Sequence, residues 1–336
     1  MIVQSSDAIQ PAMTSRRFRP NGLWVLLGLL VAIAFLPRFA APYTVLLMVP
    51  FLGFGIALLG FNLLFGYTGL LSFGHAMFIA TGAYVTSTLT SRLGVLHIEI
   101  ILAVAVLAAV IIAMPVGALS VRYTRIFFGM LTLAFGMLFH SILFKFYDLT
   151  GGDQGMSVVR PLLFGMEWRL GKTGFLIGPF FYYCLGLFAI MAVIIWHVVQ
   201  SAFGLRLMAI RENDGKAAYV GIRVFRTRLA AFVISAVYGS VGGVILAVST
   251  GLADPELAYW TSSGNLVFMA LLGGSQTFAG PVVGAMAFVV LREFVISATE
   301  YWRFVMGGTL ILLVIFLPQG ITGAISELLR RAGLKV

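Results

Sequence analysis

Ten apolar runs follow one another along the chain, most of them close to the length a bilayer requires. They cover residues 22–36, 43–64, 70–90, 98–119, 126–146, 175–199, 228–250, 264–275, 281–298 and 303–317. A helix of about 20 residues spans the hydrocarbon core, about 30 Å. Hydrophobic residues make up 60% of the 336 and charged residues only 10%, against about a quarter charged in soluble domains. A water-soluble globule of this size cannot cover itself with so few charges. That excludes a soluble enzyme, a nucleic-acid binder and a disordered chain. The expected fold is all-α: a polytopic helical membrane protein of about ten spans. Residues 1–21 read as a basic N-terminal tail, 22–317 as the transmembrane domain and 318–336 as a C-terminal tail.

The basic residues give the runs a direction. If every run crosses, the connections alternate sides and both termini share a face. That face holds 14 of the 22 basic residues, among them Arg16, Arg17, Arg19, Arg122, Arg125, Arg206, Arg211, Lys216, Arg223, Arg226 and Arg228. Its acids are Asp7, Glu212, Asp214 and Glu327, so it carries the whole net charge of +10. On the other face cations and acids cancel. The positive-inside rule then makes both ends cytoplasmic. The Arg16-Arg17 pair before the first run also fits a secretory or twin-arginine signal, but Pro37-Arg38 follows where a small-residue cleavage site belongs. An uncleaved first span is the expectation. The single cysteine, Cys184, lies in an apolar run, so there is no disulfide framework.

Two stretches are poor helix formers. Gly66-Tyr67-Thr68-Gly69-Leu70-Leu71-Ser72-Phe73-Gly74-His75 places three glycines at a membrane entry, and Gly273-Gly274-Ser275-Gln276-Thr277-Phe278-Ala279-Gly280-Pro281 interrupts an apolar stretch. Pro281 disfavours helix at Gly280, and the paired glycines loosen the preceding turn. Irregular backbone at membrane depth survives only where protein or a water-filled path satisfies it. Both segments are therefore expected to line a translocation path, with a five-plus-five repeat of the spans; tight packing through small residues is the competing reading.

Two hydrophilic stretches exceed what a connector needs. The outer one, 148–173, contains Gly151-Gly152-Asp153. The inner one, 201–227, holds five basic residues with Arg228 directly after it, and a short helix there is expected to carry Leu205, Met208 and Ala209 on one face. Chemistry is sparse. Gly171-Lys172-Thr173 lacks the earlier glycine of a P-loop, since that position is Met166. The four histidines show no metal-ligand spacing, so neither a metal nor another cofactor is expected, and no catalytic residue. Ion coupling usually leaves ionisable residues within spans; here Lys145, Arg292-Glu293, His75, His140 and His197 are the few candidates. A stand-alone secondary transporter or channel is the weaker alternative, because the energy source is expected to be a partner.

Gly66-Tyr67-Thr68-Gly69-Leu70-Leu71-Ser72-Phe73-Gly74-His75-Ala76, Leu131-Thr132-Leu133-Ala134-Phe135-Gly136, the glycine-rich outer turn and Gly280-Pro281-Val282-Val283-Gly284-Ala285 together resemble the LivM-type permeases of branched-chain amino acid ABC importers. The string from Ala209 to Ile222 resembles that family's ATPase-coupling loop, although Glu212 is separated from Ala217-Ala218 by four residues. The resemblance implies a non-enzymatic permease subunit in a bacterial cytoplasmic (inner) membrane. Its partners would be a LivH-like second permease, two cytoplasmic ATPases and a periplasmic binding protein. Arg211, Glu212, Lys216, Ala217, Ala218 and Gly221 would meet the ATPase. Gly66, Gly69, Ser72, Gly74, His75, Gly273, Gly274, Ser275, Thr277, Gly280 and Pro281 would line the path between the permeases, and Gly151, Gly152 and Asp153 would lie near the binding protein. Branched-chain or other apolar amino acids are the implied substrate; urea, short amides or aromatic acids are the alternative.

Overall fold

The computed structural model describes residues 21–324 apart from 169, 276, 317 and 318. The tails at 1–20 and 325–336 lie outside the described residues, as does Gln276. The first half holds α1 (Asn21–Phe39), α2 (Pro42–Asn62), α3 (Ala76–Ser87), α4 (Ile98–Ser120) and α5 (Arg125–Lys145). Short α6 (Tyr147–Thr150) and α7 (Lys172–Ile177) precede α8 (Pro179–Gln200), and α9 (Ala202–Glu212) and α10 (Asp214–Tyr219) follow. The remainder is α11 (Val224–Thr250), α12 (Trp260–Gly273), α13 (Gly280–Ala298) and α14 (Trp302–Phe316). Every apolar run contains a helix. Among the described residues, six stretches are long and apolar enough to cross a membrane: Pro42–Tyr67, Ile98–Ser120, Arg125–Lys145, Lys172–Gln200, Val224–Thr250 and Gly280–Ala298. The chain is an all-α polytopic membrane protein.

The interior is built around α2 and α11, whose most apolar stretches are 72% and 83% buried, against 28% for the more hydrophobic α4. Small residues explain the choice. A Cβ on Gly82 would lie 1.9 Å from the Ser240 carbonyl oxygen, and one on Gly243 would lie 2.0 Å from that of Ile79. Backbone therefore meets backbone where α11 crosses α3, and the side chains that lipid-facing helices carry have no room there. Hydroxyls lock the same helix sideways. Ser240 Oγ donates to the Ala105 carbonyl on α4 at 2.9 Å, and the Tyr238 hydroxyl donates to that of Met191 on α8 at 2.8 Å.

The connections gather into two groups. In one, strands β1 (Met156–Ser157) and β2 (Leu252–Ala253) pair antiparallel, and the Phe164 amide donates to the Glu99 carboxylate at 3.0 Å. Lys172 Nζ joins this group through the Thr250 carbonyl at 3.4 Å. The other group holds 63–75, the 201–223 stretch and 274–279.

Candidate functional site

Helix α2 ends in a π turn, Leu63–Tyr67, and the chain stays irregular until Ala76. Hydrogen-bond partners on three other helices hold this first break. The Phe73 amide donates to Thr132 Oγ1 on α5 at 3.3 Å, and the Ala76 amide donates to Ser263 Oγ on α12 at 3.0 Å. His75 Nε2 lies 3.1 Å from Ser235 Oγ and 3.3 Å from the Ser235 carbonyl on α11. Its ring sits edge-on to Phe61 and Phe78, centroids 5.2 and 5.3 Å away. Asn62, Ser72 and His75 are all buried. Asn62 Oδ1, Ser72 Oγ and His75 Nδ1 make no hydrogen bond, an uncompensated cost of about 1–3 kcal/mol each in an apolar bundle.

The second break runs from Gly274 to Ala279. Helix α13 starts at Gly280 with Pro281 in its first turn, where a missing N–H costs nothing. Its glycines serve a helix crossing. A Cβ on Gly273 would lie 1.8 Å from the Gly280 carbonyl oxygen, and one on Gly284 1.9 Å from that of Met269. Gly74 has the same kind of role, with Thr132's carbonyl oxygen 1.8 Å from its Cβ position. Ser275 and Thr277 are partly exposed. They meet the first break, because Asn62 Nδ2 donates to the Thr277 carbonyl at 3.3 Å, across 215 residues of sequence. A Cβ on Gly66 would lie 2.3 Å from the Ser275 carbonyl oxygen. The two interruptions form one place in the fold.

The basic stretch adds a third component there. Ser201 caps α9 by accepting from the Phe203 amide at 3.1 Å, and Asn213 caps α10 by accepting from the Lys216 amide at 2.9 Å. The string from Ala209 to Ile222 is thus two helices with a corner at Asn213, which is why Glu212 stands apart from Ala217-Ala218. Leu205, Met208 and Ala209 do share a face of α9 (i, i+3, i+4), but the face it buries is that of Gly204, Leu207 and Ile210, and Leu205 is 62% exposed. The docking direction of α9 against the bundle selected that face; both faces carry apolar residues. Arg211 donates to the Gly66 carbonyl, and Asp214 pairs with Arg228 on α11 at 3.1 Å. Of the other residues expected to face a partner, Glu212, Lys216, Ala218 and Gly221 are exposed and Ala217 is buried. Tyr219 and Val220, 93% and 77% exposed, went unremarked in the sequence. Their signal was two large side chains next to one another within a stretch rich in charge, 206–216 and 223–228.

In the other group of connections, Gly151 takes a left-handed conformation at φ 75° and Gly155 packs onto the β2 backbone, its Cβ position 2.4 Å from the Ala253 carbonyl oxygen. Gly152 is buried and Asp153 exposed.

Residues 43–314 match the family described as branched-chain amino acid transport system / permease component. The chain belongs to this family. Among its relatives, the high-affinity branched-chain amino acid transport permease LivM of Escherichia coli (strain K12) is 28% identical over 281 residues, covering 78% of this chain and 66% of LivM. The chain thus spans just under two thirds of that relative. The companion permease LivH of Salmonella typhimurium is 25% identical over 286 residues, 80% of this chain and 91% of LivH. A shorter stretch, 36% of this chain, is 28% identical to the xylose transport permease XylH of Escherichia coli (strain K12). No solved structure matches. Both breaks and the basic stretch fall inside the branched-chain permease match.

Proposed function

We propose that the chain is the transmembrane permease subunit of an ATP-binding-cassette importer for branched-chain or other apolar amino acids. It would work with a LivH-like permease, two cytoplasmic ATPases and a periplasmic binding protein, in a bacterial inner membrane. The observation that carries this reading is the convergence of the basic stretch with both breaks, at Gly66, Asn62 and Thr277. A segment that an ATPase can push then touches the irregular backbone that a substrate would pass. The unpartnered atoms of Asn62, Ser72 and His75 suit a route that carries polar ends of a substrate for part of a cycle. The two groups of connections match the two faces assigned by charge. That supports ten spans, with α1, α3, α12 and α14 as the shorter ones, and both termini cytoplasmic. Relatives named for branched-chain amino acids and, over 36% of this chain, for xylose are both similar to it in sequence, which supports a reading in which the binding protein makes the substrate choice.

The exposed tip of α10 gives the ATPase its contact: Tyr219 and Val220 offer apolar area, and Glu212 and Lys216 flank it with charge. Purification of the intact complex tests both claims. A second permease and an ATPase should co-purify with the wild-type chain, and Glu212→Lys combined with Tyr219→Asp should cut ATPase recovery at least tenfold without loss of chain from the membrane. A wild-type chain that purifies with no ATPase would refute the importer reading.

A further inference from the structure

Arg211 belongs, by the sequence, to the set expected to touch the ATPase. Its guanidinium instead donates to the carbonyl of Gly66, inside the π turn that closes α2. Its aliphatic stem runs beside Gly69, where an added Cβ would lie 3.1 Å from Arg211 Cγ. The end of a helix leaves carbonyls that the regular ladder does not satisfy, so this oxygen needs an outside donor. The other side of Gly66 is closed, since a Cβ there would come within 2.2 Å of Asn62 Oδ1 and 2.3 Å of the Ser275 carbonyl oxygen. Asn62 in turn donates to Thr277. One side chain of the basic stretch therefore grips the residue on which both breaks are packed. The other anchor of that stretch, Asp214 to Arg228, ties α10 to α11.

We propose that Arg211 is a positioning residue that carries displacement of α9 into both breaks, and that it acts within the permease rather than on the ATPase. The proposal rests on the coupling reading above. Helix α9 is a stiff rod of 11 residues, about 16 Å long, with the α10 tip at one corner and the Arg211 contact beside it. A push on the tip has a short path to Gly66, and from Gly66 to Ser275. Arginine suits the task because its charge persists at any physiological pH and its donors hold a fixed geometry.

The test uses the whole importer with Arg211→Ala and Arg211→Lys, followed by hydrogen exchange and by uptake. Arg211→Ala should raise amide exchange at least tenfold in 63–75 and in 273–280. Exchange at the distant pair of 156–157 with 252–253 should stay as in the wild type. The ATPase should still co-purify while uptake falls at least tenfold. Arg211→Lys, which keeps a charged donor, should recover part of both effects, whereas Arg211→Met, which keeps the stem without the donor, should not; recovery by Met would mark a merely space-filling role and overturn the proposal. Unchanged exchange at the breaks overturns the proposal. So does loss of the ATPase from Arg211→Ala, which would make Arg211 a docking contact, and so does uptake within twofold of wild type. Failure of the coupling reading shows separately, as a wild-type complex without ATPase, and overturns the transmission role even if exchange at the breaks rises.

Discussion

At Gly82 and Gly243 the backbone of one helix already fills the space a methyl group would take, with carbonyl oxygens 1.9 and 2.0 Å from the Cβ positions. Neither helix can absorb that by rotating a side chain, so the pair must separate. Overpacking a well-packed core costs about 1–3 kcal/mol, and a clash with backbone belongs at or beyond the upper end. Gly82→Ala and Gly243→Ala should each lower the temperature at which the detergent-purified protein aggregates, with reduced yield. Gly186→Ala on α8 meets nothing within 4 Å and should be neutral or slightly stabilising, as alanine favours helix. Equal melting of all three variants would show that the α3–α11 crossing is looser than its geometry. Cys184 is wholly buried on α8, so Cys184→Ala loses only a small apolar group.

The two breaks differ as elements. The first buries Ser72 and His75 completely, whereas the second leaves Ser275 and Thr277 partly exposed. A translocation path that opens and closes predicts different behaviour for each. In a Cys184→Ala complex without nucleotide, single cysteines at 275 and 277 should react with a small polar thiol reagent, and cysteines at 72 and 75 should not. Nucleotide or substrate-loaded binding protein should raise the reactivity of the latter pair at least tenfold. Buried cysteines that stay silent in every state of an active complex would leave the first break a packing device.

At the scale of the molecule, the paired connections sort into two ends of a bundle. Met156–Ser157 meets Leu252–Ala253 at one end, and Arg211 meets Gly66 at the other. Under the proposed topology the second end, with its excess of cations, is the cytoplasmic one. A cysteine at 153 should therefore label with a membrane-impermeant reagent in spheroplasts, and one at 216 only in inside-out vesicles. Asp153 and Lys216 are both exposed, so access is limited by the membrane alone. Labelling of both from one side would refute the alternation of spans.

Local chemistry settled a good deal by itself. Ten apolar runs, the cation imbalance and the glycine-rich interruptions are properties of short stretches, and each run holds a helix because an α-helix satisfies its own backbone in lipid. The places where helix fails, at Gly66–His75 and at Gly274–Ala279, were legible for the same reason. Which helices form the interior was not, for α4 has the highest mean hydropathy at 2.8 yet is among the least buried. In a bilayer an apolar face can turn to lipid as readily as inward, and the central helices are singled out by glycines and hydroxyls that meet other helices among buried Phe, Leu and Ile side chains. The direction of Arg211, the buried face of α9 and the meeting of two breaks 215 residues apart were decided only when those helices packed. Each depends on backbone carbonyls brought close by long-range contacts, and no local pattern in the chain encodes where such a carbonyl will stand.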